Sequence, residues 1–590
     1  MSSLFGIGAN GAAKGFYNGV ATQSVRFPVG EPHLQRTPSS TGDQKKWTSS
    51  FWVKRTKLGT GYLWSSAGYS GNDGIASIYF QDDHLHTYYD GSSHTYGKIG
   101  DRLYRDTSAW YHICWAVDAA NTIHKIWVNG SLESTVTARY PSNFAWGMNR
   151  ANTLNKFGEA AWGASTQFEG YLADFVHLDG QYLEYDSFAE FKNGVLIPID
   201  TSGLTYGTNG FRLEFKQTGV GSGASNTIGA DTSGQNNHLD SAIIAADDCA
   251  MPDSPENNFA TYNPLQIAAP SSSFFLSEGN LALTATNNSG YRNCSATFSP
   301  MGFKGYIEFV ASALNHKIGI IADTTYPTNQ DYANSGPQHV TLEYNGEVKF
   351  PNNGTSHRSA SDHNLGTLSA GDVMGMAFDF TGTNRNVWFH RANTYGTASG
   401  GLGNPATGAN PIVTASNLNS TGPYRFHFGI NNGPVFRINF GQDGTFGGTE
   451  TAQGNTDANG NGDFYYAVPA GFLALCSANL PEPTIGPNSL TQADDHFNTV
   501  LYSGTGNADT ITTGLQPDWI WIKQRNGTGY HNLTDTSRGI TRELHSNVTD
   551  TETNYSRIAS TSSTGFTFES GANGYTNESG STFVAWNWKA

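Results

Sequence analysis

The sequence predicts an all-β chain of tandem β-sandwiches, and its composition and patterning support this prediction. Charged residues make up 14% of the 590 residues, aromatic residues 13%, and glycine occurs 69 times. Such a chain is not expected to be disordered, because its rings can fill a core, and its many glycines favour frequent turns. Short runs in which apolar and polar residues alternate recur along the whole length between Gly-, Asn- and Asp-containing turns, a pattern typical of strands.

The clearest strand pair lies in residues 101–133. In residues 110–117 the side chains alternate between two faces, one carrying Tyr111, Ile113, Trp115 and Val117 and the other Trp110, His112, Cys114 and Ala116. A polar loop at 118–122 leads into a second strand at 123–128, and Asn129-Gly130 provides a tight turn. We expect this hairpin to form the covered centre of a sandwich sheet, with Cys114 as a packed thiol.

The first globular unit is predicted at residues 26–215. Its remaining strands are expected at 47–55, 61–65, 75–80, 85–89, 168–178 and 210–216. The tetrapeptide SFAE at 187–190 matches a capping box and predicts one short helical turn. The Gly- and Ala-rich residues 1–25 are interpreted either as an arm that orders on a partner or as a disordered segment.

Four further segments follow this unit. Residues 216–270 are poor in apolar residues and predict a connector that packs along the first unit. Residues 271–475 predict a second sandwich, with strands at 280–285, 305–310, 317–321, 339–344, 372–379, 387–390, 424–429 and 435–440. A Pro-rich linker at 476–494 precedes a small C-terminal β domain at 495–590, with strands at 499–503, 519–525, 566–569 and 582–588. In that domain an alternation by two predicts a small aromatic core made by Trp519, Trp521, Trp586 and Trp588.

The charge and cysteine content argue against several classes of protein. A formal net charge of −16 disfavours general nucleic-acid binding, which needs clustered Lys and Arg. No apolar run reaches the roughly 18 residues of a membrane helix, and the N-terminus lacks the apolar stretch of a signal peptide. We therefore expect synthesis in a cytoplasm and no membrane insertion. The four cysteines show no CxxC spacing, and a Cys249–Cys294 disulfide stays open.

Several segments resemble a known family in their linear order. FWVKR, RDTSAWYHICWAVD, KIWVNG and FEGYLADFVHLDGQ resemble the laminin-G/concanavalin A-like jelly roll, in the version found in virion proteins of tailed bacteriophages. DTSGQNNH and NNFATYNPL resemble the connector of those proteins, and VFRINFGQDGTF and VPAGFLALC are similar to a SPRY-type sandwich. LPEPTI, GLQPDWIWIK and FVAWNWKA look like a C-terminal phage structural module.

The resemblance implies a virion component, made in the host cytoplasm, that is not an enzyme. Its expected function is that of a tail fibre or capsid-attached fibre that attaches to a host-surface glycan or protein. The N-terminal arm would contact other virion proteins, and fibres of this class are usually homo-oligomers, with a trimer expected. Two alternatives are a polysaccharide depolymerase of the particle and an architectural capsid decoration protein without a host ligand.

One cluster of acidic residues is a candidate for catalysis. Glu184, Asp186 and Glu190 have the spacing E-x-D-x-x-x-E, close to a strand motif that aligns carboxylates for glycoside hydrolysis. The predicted helical turn at 187–190 removes Glu190 from that alignment. These acids are therefore interpreted as part of a helix cap, and no catalytic residue is assigned. The motifs G-x-S-x-G, Walker A and H-E-x-x-H do not occur in the sequence.

Two stretches are candidates for metal binding, and neither is assigned a metal. The first half of a calcium loop is matched by Asp457, Asn459, Asn461 and Gly462. Its twelfth position is Val468 rather than a bidentate Glu, so a solvated loop is favoured. A second stretch places on one strand His84 and His86, near Asp82, Asp83 and Asp90. The sequence places no third ligand there. The resemblance adds a structural calcium at the sandwich rim as an alternative, and no other cofactor is expected.

Aromatic residues in the rim loops are the candidates for ligand binding. The rim rings are Tyr69, Tyr88, Tyr89, Tyr96, Trp146 and Trp162. Those assigned as ligand-binding candidates are Tyr69, Tyr96, Trp146 and Trp162. Aromatic faces stack on sugar rings, and Tyr and Trp are also enriched in cores and at protein interfaces. Core or interface packing therefore stays open as the alternative for each of them.

Overall fold

The structure is a computed structural model in which two compact units are described. The described residues are 16–68, 74–91, 94–96, 100–133, 143–163, 166–192, 194–267, 274–286, 292–313, 315–322, 339–349, 357–358, 365–396, 401–415, 418, 423–480, 493–571 and 575–590. The chain divides into Met1–Leu480, called unit 1, and Pro481–Ala590, called unit 2.

Helical structure in the described part of the chain is confined to single 3₁₀ turns. These lie at Ala119–Asn121, Tyr185–Ser187, Ala246–Asp248, Pro264–Gln266, Glu278–Asn280, Pro405–Thr407, Ser477–Asn479 and Ala493–Asp495. Across the described residues, no helix has the length and hydropathy needed to cross a bilayer. Everything else regular is strand, and the all-β prediction is confirmed.

Unit 1 contains two β-sandwiches. The strands of the first are β1 (Val25–Phe27), β2 (His33–Arg36), β3 (Lys46–Arg55), β4 (Gly61–Ser66), β5 (Ile75–Gln81), β6 (His84–Gly91), β7 (His94–Tyr96), β8 (Trp110–Asp118), β9 (Ile123–Val128), β10 (Ser131–Leu132), β11 (Asn155–Phe157), β12 (Gly170–Asp179), β13 (Ala189–Lys192), β14 (Val195–Pro198), β15 (Phe211–Leu213) and β16 (Asp240–Ala242). One sheet has the order β1-β12-β3-β8-β9-β10, with β15 beside β12. The second sheet has the order β16-β2-β11-β4-β5-β6-β7, and β13 and β14 form a separate hairpin.

Aromatic rings fill the space between these two sheets. The Trp47 ring lies 4.6 Å from Trp115 and 6.3 Å from Trp64, centroid to centroid, in edge-to-face geometry. None of the three is more than 1% exposed. Both faces of the β8–β9 hairpin are covered, because Trp115 faces this core while Cys114 on the opposite face packs in a cluster with Phe188. The predicted hairpin and its packed thiol are confirmed.

The second sandwich has the same two-layer design. Its strands are β17 (Phe274–Ser277), β18 (Ala282–Ala285), β19 (Arg292–Cys294), β20 (Lys304–Ala311), β21 (His316–Ala322), β22 (His339–Glu343), β23 (Val348–Lys349), β24 (His357–Arg358), β25 (Met374–Asp379), β26 (Asn386–Arg391), β27 (Thr394–Tyr395), β28 (Tyr424–Ile430) and β29 (Val435–Asn439). The sheets have the orders β17-β18-β29-β20-β25-β26-β27 and β19-β28-β21-β22-β23-β24. Residues 441–480 then return over the outer face of the first of these sheets, where Phe464 packs 5.3 Å from Tyr306.

Buried ion pairs join the two sandwiches through the segment predicted as a connector. Arg26 on β1 is fully buried and contacts both Asp248 of the connector and Asp443 of the second sandwich at 2.7 Å. Lys54 on β3 is equally buried and pairs with Asp253 of the connector at 2.7 Å. The connector also supplies β16, which pairs with β2, so this segment does lie along the first sandwich.

All four cysteines are free, buried thiols. Burial raises the pKa of Cys249 and of Cys294 to about 12. The Cys249–Cys294 disulfide that the sequence left open is therefore not present in this structure.

Unit 2 is a smaller sandwich. Its strands are β30 (Phe497–Ser503), β31 (Thr510–Thr512), β32 (Trp519–Gln524), β33 (His531–Asp535), β34 (Arg542–His545), β35 (Thr553–Asn554), β36 (Ile558–Ser562), β37 (Gly565–Phe568) and β38 (Thr582–Trp588). A six-stranded sheet, β30-β38-β32-β33-β34-β35, packs on a three-stranded sheet, β31-β37-β36. The core between them is made by Ile520, Ile522, Phe566, Phe568 and Phe583.

Two sequence predictions are wrong in detail. The four tryptophans at 519, 521, 586 and 588 do not form the core of unit 2, because the alternate residues of β32 and β38 point inward and the tryptophans point outward. The tetrapeptide at 187–190 does not begin a helix. Ser187 ends a 3₁₀ turn, Phe188 is buried against the sheet, and Ala189 begins β13, where it pairs with Pro198.

Candidate functional site

An aromatic platform lies on the outer face of the second sheet of the first sandwich. It consists of Tyr62 on β4, Tyr79 on β5, Tyr88 on β6 and Trp162 in the loop after β11. Tyr62 and Tyr79 are paired across the two strands, and their rings stack with centroids 4.6 Å apart. The Trp162 ring stands perpendicular to Tyr62 at 5.2 Å and lies 6.4 Å from Tyr88. The four rings therefore form one continuous cluster, in which Tyr79 is buried and Trp162 is exposed.

The Trp162 side chain is held over the sheet by a loop that is hydrogen-bonded to β4. The Ser65 hydroxyl donates to the carbonyl of Glu159 at 3.0 Å and accepts the N–H of Ala161 at 2.7 Å. Gly163 follows with a φ of +80°, a conformation that favours glycine. Trp162 is thus fixed from both sides while 37% of its surface stays exposed.

The platform combines ring surface with polar groups that suit a hydroxylated ligand. Burial, together with the neighbouring Tyr88, raises the pKa of Tyr62, so its phenol stays protonated and can both donate and accept hydrogen bonds. Beside the platform, on the strand paired with β4, Lys156 forms an ion pair with Glu159 at 2.7 Å. Glu159 also contacts His33 at 2.9 Å. A stacking surface next to fixed polar groups is the usual composition of a small-molecule site.

The four predicted ligand-binding residues have different positions. Trp162 is on the platform, but Trp146 is 1% exposed, so Trp146 is not a ligand-binding residue and follows the alternative of core packing. Its loop folds into the end of the sandwich core, where the ring packs 5.2 Å from Trp115 and stacks on His124 at 5.6 Å. Tyr69 lies outside the described residues. Tyr96 belongs to β7, and its side chain lies outside the described part of the structure.

Two members of the platform were not predicted. Tyr62 and Tyr79 lie inside strands, and the signal that could have identified them is the phase of the alternation. In β5, Tyr79 is adjacent to the core residue Phe80 and therefore points outward. The same rule separates two rings that the sequence grouped together, because Tyr88 joins the platform while Tyr89 packs in the core.

A cleft of about 540 Å³ lies inside unit 1, where the two sandwiches and the β13–β14 hairpin meet. Its walls are mainly apolar and include Trp52, Trp110, Phe191 and Phe298. Neighbouring polar groups are engaged with the protein, since Trp110 Nε1 donates to Asp253 at 3.1 Å and Lys54 Nζ donates to Asn258 at 2.7 Å. Asp and Glu are absent from the described residues that line the cleft. The cleft therefore offers apolar contact but no carboxylate for acid–base chemistry.

The predicted acidic cluster is not aligned for catalysis. Glu184 accepts hydrogen bonds from Lys125 at 2.8 Å and Tyr182 at 3.0 Å, and the bond from Lys125 lowers the pKa of its carboxyl. Glu190 lies on β13, is exposed, and contacts Asn18 at 3.2 Å. Glu184, which precedes the 3₁₀ turn, is thus held ionised by a lysine, whereas Glu190 lies on β13 with its own partner.

Asp83 in the β5–β6 turn is engaged in ion pairs. Asp83 Oδ1 accepts from Arg55 at 3.1 Å and from the Gly59 N–H at 3.0 Å, and Oδ2 accepts from Arg105 at 2.9 Å. Burial would raise the pKa of Asp83, but these donors bring it below its ordinary value. Asp82 is in the same turn with a φ of +50°, and the Asp90 side chain lies outside the described residues. Two arginines occupy Asp83, which disfavours calcium there.

The loop at 457–462 is also held by the protein rather than by solvent. Asp457 is 5% exposed, and one oxygen accepts the N–H groups of Asn459 and Asn461, both at 2.9 Å. Its other oxygen accepts from the Ala474 N–H at 2.9 Å and from Asn479 at 2.6 Å. The expectation of a solvated loop is therefore wrong for Asp457. Among the described residues, no group of three His, Cys, Asp or Glu is arranged to hold a metal.

Comparison with protein families matches two parts of the chain. Residues 30–180 match the model of the concanavalin A-like lectin/glucanases superfamily, and they include the whole platform. Residues 492–590 match a family described as a domain of unknown function, DUF7483. No curated protein matches the chain in sequence. The laminin-G/concanavalin A-like resemblance of the first unit is confirmed by the first match.

Solved structures give likenesses of fold. Mouse laminin α1 domains LG4–5 are 11% identical over 71% of this chain and 83% of that chain, with a TM-score of 0.26. The TRIM65 PSpry domain is 14% identical over 31% of this chain and 92% of its own, with a TM-score of 0.22. The CBM40 of the Ruminococcus gnavus IT-sialidase, solved with α2,3 sialyllactose, is 15% identical over 26% of this chain and 95% of its own, with a TM-score of 0.20. At these scores no conclusion about function is drawn from them.

Proposed function

We propose that this chain is a glycan-binding attachment protein whose ligand stacks on the aromatic platform of the first sandwich. The observation that carries the proposal is the exposed Trp162 ring, locked against Tyr62 by a hydrogen-bonded loop. The match of residues 30–180 to the concanavalin A-like lectin/glucanases superfamily supports it, because that superfamily includes sugar-binding proteins by its description. The ligand class is a pyranose with an apolar C–H face.

The physics of the platform favours binding by stacking. A sugar ring laid on Trp162 removes exposed aromatic surface from water, at roughly 25 cal/mol for each Å² of apolar area buried. The phenol of Tyr62 lies beside it and can hydrogen-bond sugar hydroxyls. Since the ring positions are already fixed by packing, little side-chain entropy is lost on binding.

Binding without cleavage is part of the proposal. Glycoside hydrolysis needs two carboxyl groups at defined separation flanking the scissile bond. Glu159, an acid in the loop that carries Trp162, is held by both Lys156 and His33. The predicted cluster of Glu184 and Glu190 is engaged elsewhere on the β13 side of the fold. These contacts support a lectin-like function over the depolymerase alternative.

We further propose that the protein acts as a virion fibre component, with its N-terminal arm contacting other particle proteins. The support is the order of the phage-like segments in the sequence. In the structure, the root of the arm is fixed, since the N–H groups of Gly19, Val20 and Ala21 donate to the Glu256 carboxylate at 3.0, 2.7 and 2.9 Å. Removal of residues 2–15, which leaves this clamp intact, should abolish incorporation into particles. Normal incorporation would remove the anchor from the proposal.

A glycan array followed by calorimetry tests the platform. Trp162→Ala should weaken binding at least tenfold, because truncating a central aromatic residue typically costs about 2 kcal/mol. Phe191→Ala is the matched control, as Phe191 is a 55% exposed ring on the cleft. Loss of binding in Phe191→Ala with normal Trp162→Ala would overturn the platform in favour of the cleft. Release of new reducing ends from a bound glycan would instead establish the depolymerase.

A further inference from the structure

The six-stranded sheet of unit 2 carries a broad apolar surface on the side away from its core. We call it the tryptophan face, and its main residues are Phe497, Leu501, Trp519, Trp521, Trp586 and Trp588. Along β30 the burial alternates strictly, with Phe497 39% exposed and Leu501 58% exposed. On β32 the same alternation leaves Trp519 38% exposed. These side chains are exposed because the sheet buries their alternate neighbours.

The register of the sheet aligns the rings into rows. Phe497, Trp588 and Trp519 are directly paired across β30, β38 and β32. Their centroids are 4.9 Å apart for Phe497 and Trp588 and 4.3 Å apart for Trp588 and Trp519. The next row pairs Trp586 with Trp521 at 5.1 Å. It continues across β33 and β34 with Leu533 and Leu544, the second of which is 37% exposed.

The charges at this surface already have partners within unit 2. Lys523 Nζ donates to the carbonyl of Gly527 at 2.9 Å. At one edge, Asp535 accepts from Arg538 at 2.6 Å, and Arg542 pairs with Glu552 at 2.9 Å. A partner that covers the face would therefore leave the ion pairs at the edge intact and would meet a Lys523 ammonium that is already hydrogen-bonded to a backbone carbonyl. An apolar centre with a polar, ion-paired edge is the usual anatomy of a protein interface.

The area of the tryptophan face indicates what kind of partner can bind to it. The five strands β30, β38, β32, β33 and β34 have seven, seven, six, five and four residues, and at a spacing of about 4.8 Å they cover roughly 450 Å² in projection. That area is more than half of the roughly 800 Å² per partner of a stable interface, and protruding Trp and Leu side chains add to it. A single sugar covers far less, and the exposed leucines at 501 and 544 offer it neither a ring face nor a hydrogen bond. The occupant is therefore a protein surface of similar flatness.

We infer that the tryptophan face binds the same face of a second copy of this chain, forming a two-fold dimer. Two flat apolar sheet faces pack on each other about 10 Å apart, and an identical face is complementary in shape and needs no opposite charge. This inference does not depend on the proposed glycan binding. It replaces the trimer expected from the sequence with an isologous pair.

Sedimentation of the full chain over a range of micromolar concentrations tests the dimer. The wild type should sediment at twice the monomer mass, and Leu501→Asp should raise the dissociation constant roughly a thousandfold, because a two-fold interface contains the substitution twice. Val548→Asp is the matched control, since Val548 is 38% exposed in unit 2 but lies outside the strands of this sheet. It should leave the dimer intact.

Three results of the sedimentation experiment would overturn the inference. These are a wild-type monomer at all concentrations, a trimer, or a dimer that persists in Leu501→Asp. If Leu501→Asp fails to fold, hydroxyl-radical footprinting of the wild type decides instead. Oxidation of Trp519 and Leu501 should then fall as the protein concentration rises, and equal oxidation at all concentrations contradicts the dimer. A glycan that protects these residues without changing the mass would also contradict it.

Discussion

The first sandwich and unit 2 both carry aromatic residues on a sheet face that points away from the core. In the first sandwich that face is covered by another segment of the chain, and in unit 2 it is exposed. On the first sandwich, Trp52 and Trp127 project outward from β3 and β9 but are only 5% and 4% exposed. The chain returns over them, with Ala189 and its neighbours packing on Trp52. In unit 2, Trp519 projects in the same way and stays 38% exposed.

The difference in exposure between these faces shows the role of the chain segments that return over a sheet. The second sandwich repeats the solution of the first, because residues 441–480 place Phe472 5.9 Å from Trp388 on its outer face. In each sandwich of unit 1 the outer face of one sheet is thus a second core, stabilised by burial of the covering residues. In the described part of unit 2 no segment returns over the tryptophan face. The same side-chain types therefore stabilise the fold in one region and remain available for binding in the other.

The largest effect should come from opening a covered face. Phe188 is 2% exposed and packs in the cluster with Cys114 and Trp127. Phe188→Ala should lower the free energy of unfolding by about 3–5 kcal/mol, through lost burial and the cavity it leaves. Urea unfolding followed by hydrogen exchange of β8 and β12 measures it. A loss below about 1 kcal/mol would mean that the segment around Phe188 is a loosely attached loop. The outer face of the first sandwich would then not be a second core.

Nearly as large an effect is expected from the ion pair beneath the same outer face. Lys54→Met leaves Asp253 buried without its cation, which should cost about 3–5 kcal/mol near neutral pH. Burial already raises the pKa of Asp253, and without Lys54 it rises further, so the cost should shrink on acidification as that carboxyl protonates. The double variant Lys54→Met, Asp253→Asn should recover part of the loss. Equal costs at pH 5 and pH 8 would contradict this.

The covering segment of the second sandwich should make stability depend on pH. Glu308 accepts the N–H groups of Tyr465 and Tyr466 at 2.8 and 2.7 Å, yet burial raises its pKa to about 7. The folded state then favours the protonated form. The contribution is fully present below the ordinary pKa near 4.5 and is lost as pH rises through about 7, with a total of about 3 kcal/mol.

Glu308→Gln isolates this contribution, because an amide does not titrate. Other buried acids, such as Glu543 with a pKa raised to about 7, add their own slope to both proteins. The readout is therefore the difference between the two urea midpoints, measured from pH 4 to pH 8. Wild type should lose its stability relative to Glu308→Gln as the pH rises. A constant difference would show that folding does not shift the pKa of this carboxyl.

The sequence predicted the strands well because alternation is a local property. It identified β8, β9 and β38 within a residue of their bounds. It could not tell which face of a strand has a cover, since the cover comes from distant residues. In β38 both faces are apolar, with Phe583 and Ala585 on one side and tryptophans on the other. The alternation of side chains therefore could not predict which face of β38 points to the core.

The site shows the same limit. Trp146 and Trp162 both lie in polar loops and look equivalent in sequence, but one is buried and the other exposed. The outcome is decided by where each loop attaches. The Trp146 N–H donates to the carbonyl of Gln44 at the end of the core, whereas the Trp162 loop attaches to Ser65 on the outer face. Such long-range hydrogen bonds have no local sequence pattern.

The smallest effect on stability should come from the tryptophan face of unit 2. Leu501 is 58% exposed, so Leu501→Ala removes little buried surface, and unfolding of the dilute monomer should change by no more than about 0.5 kcal/mol. At concentrations where the dimer forms, the loss should grow, because association stabilises the folded state by mass action. Urea midpoints measured at two protein concentrations separate the effect on the monomer from the effect on association. A large loss at both would mean that unit 2 buries this leucine in solution as unit 1 buries Phe188, and the two faces would then be alike.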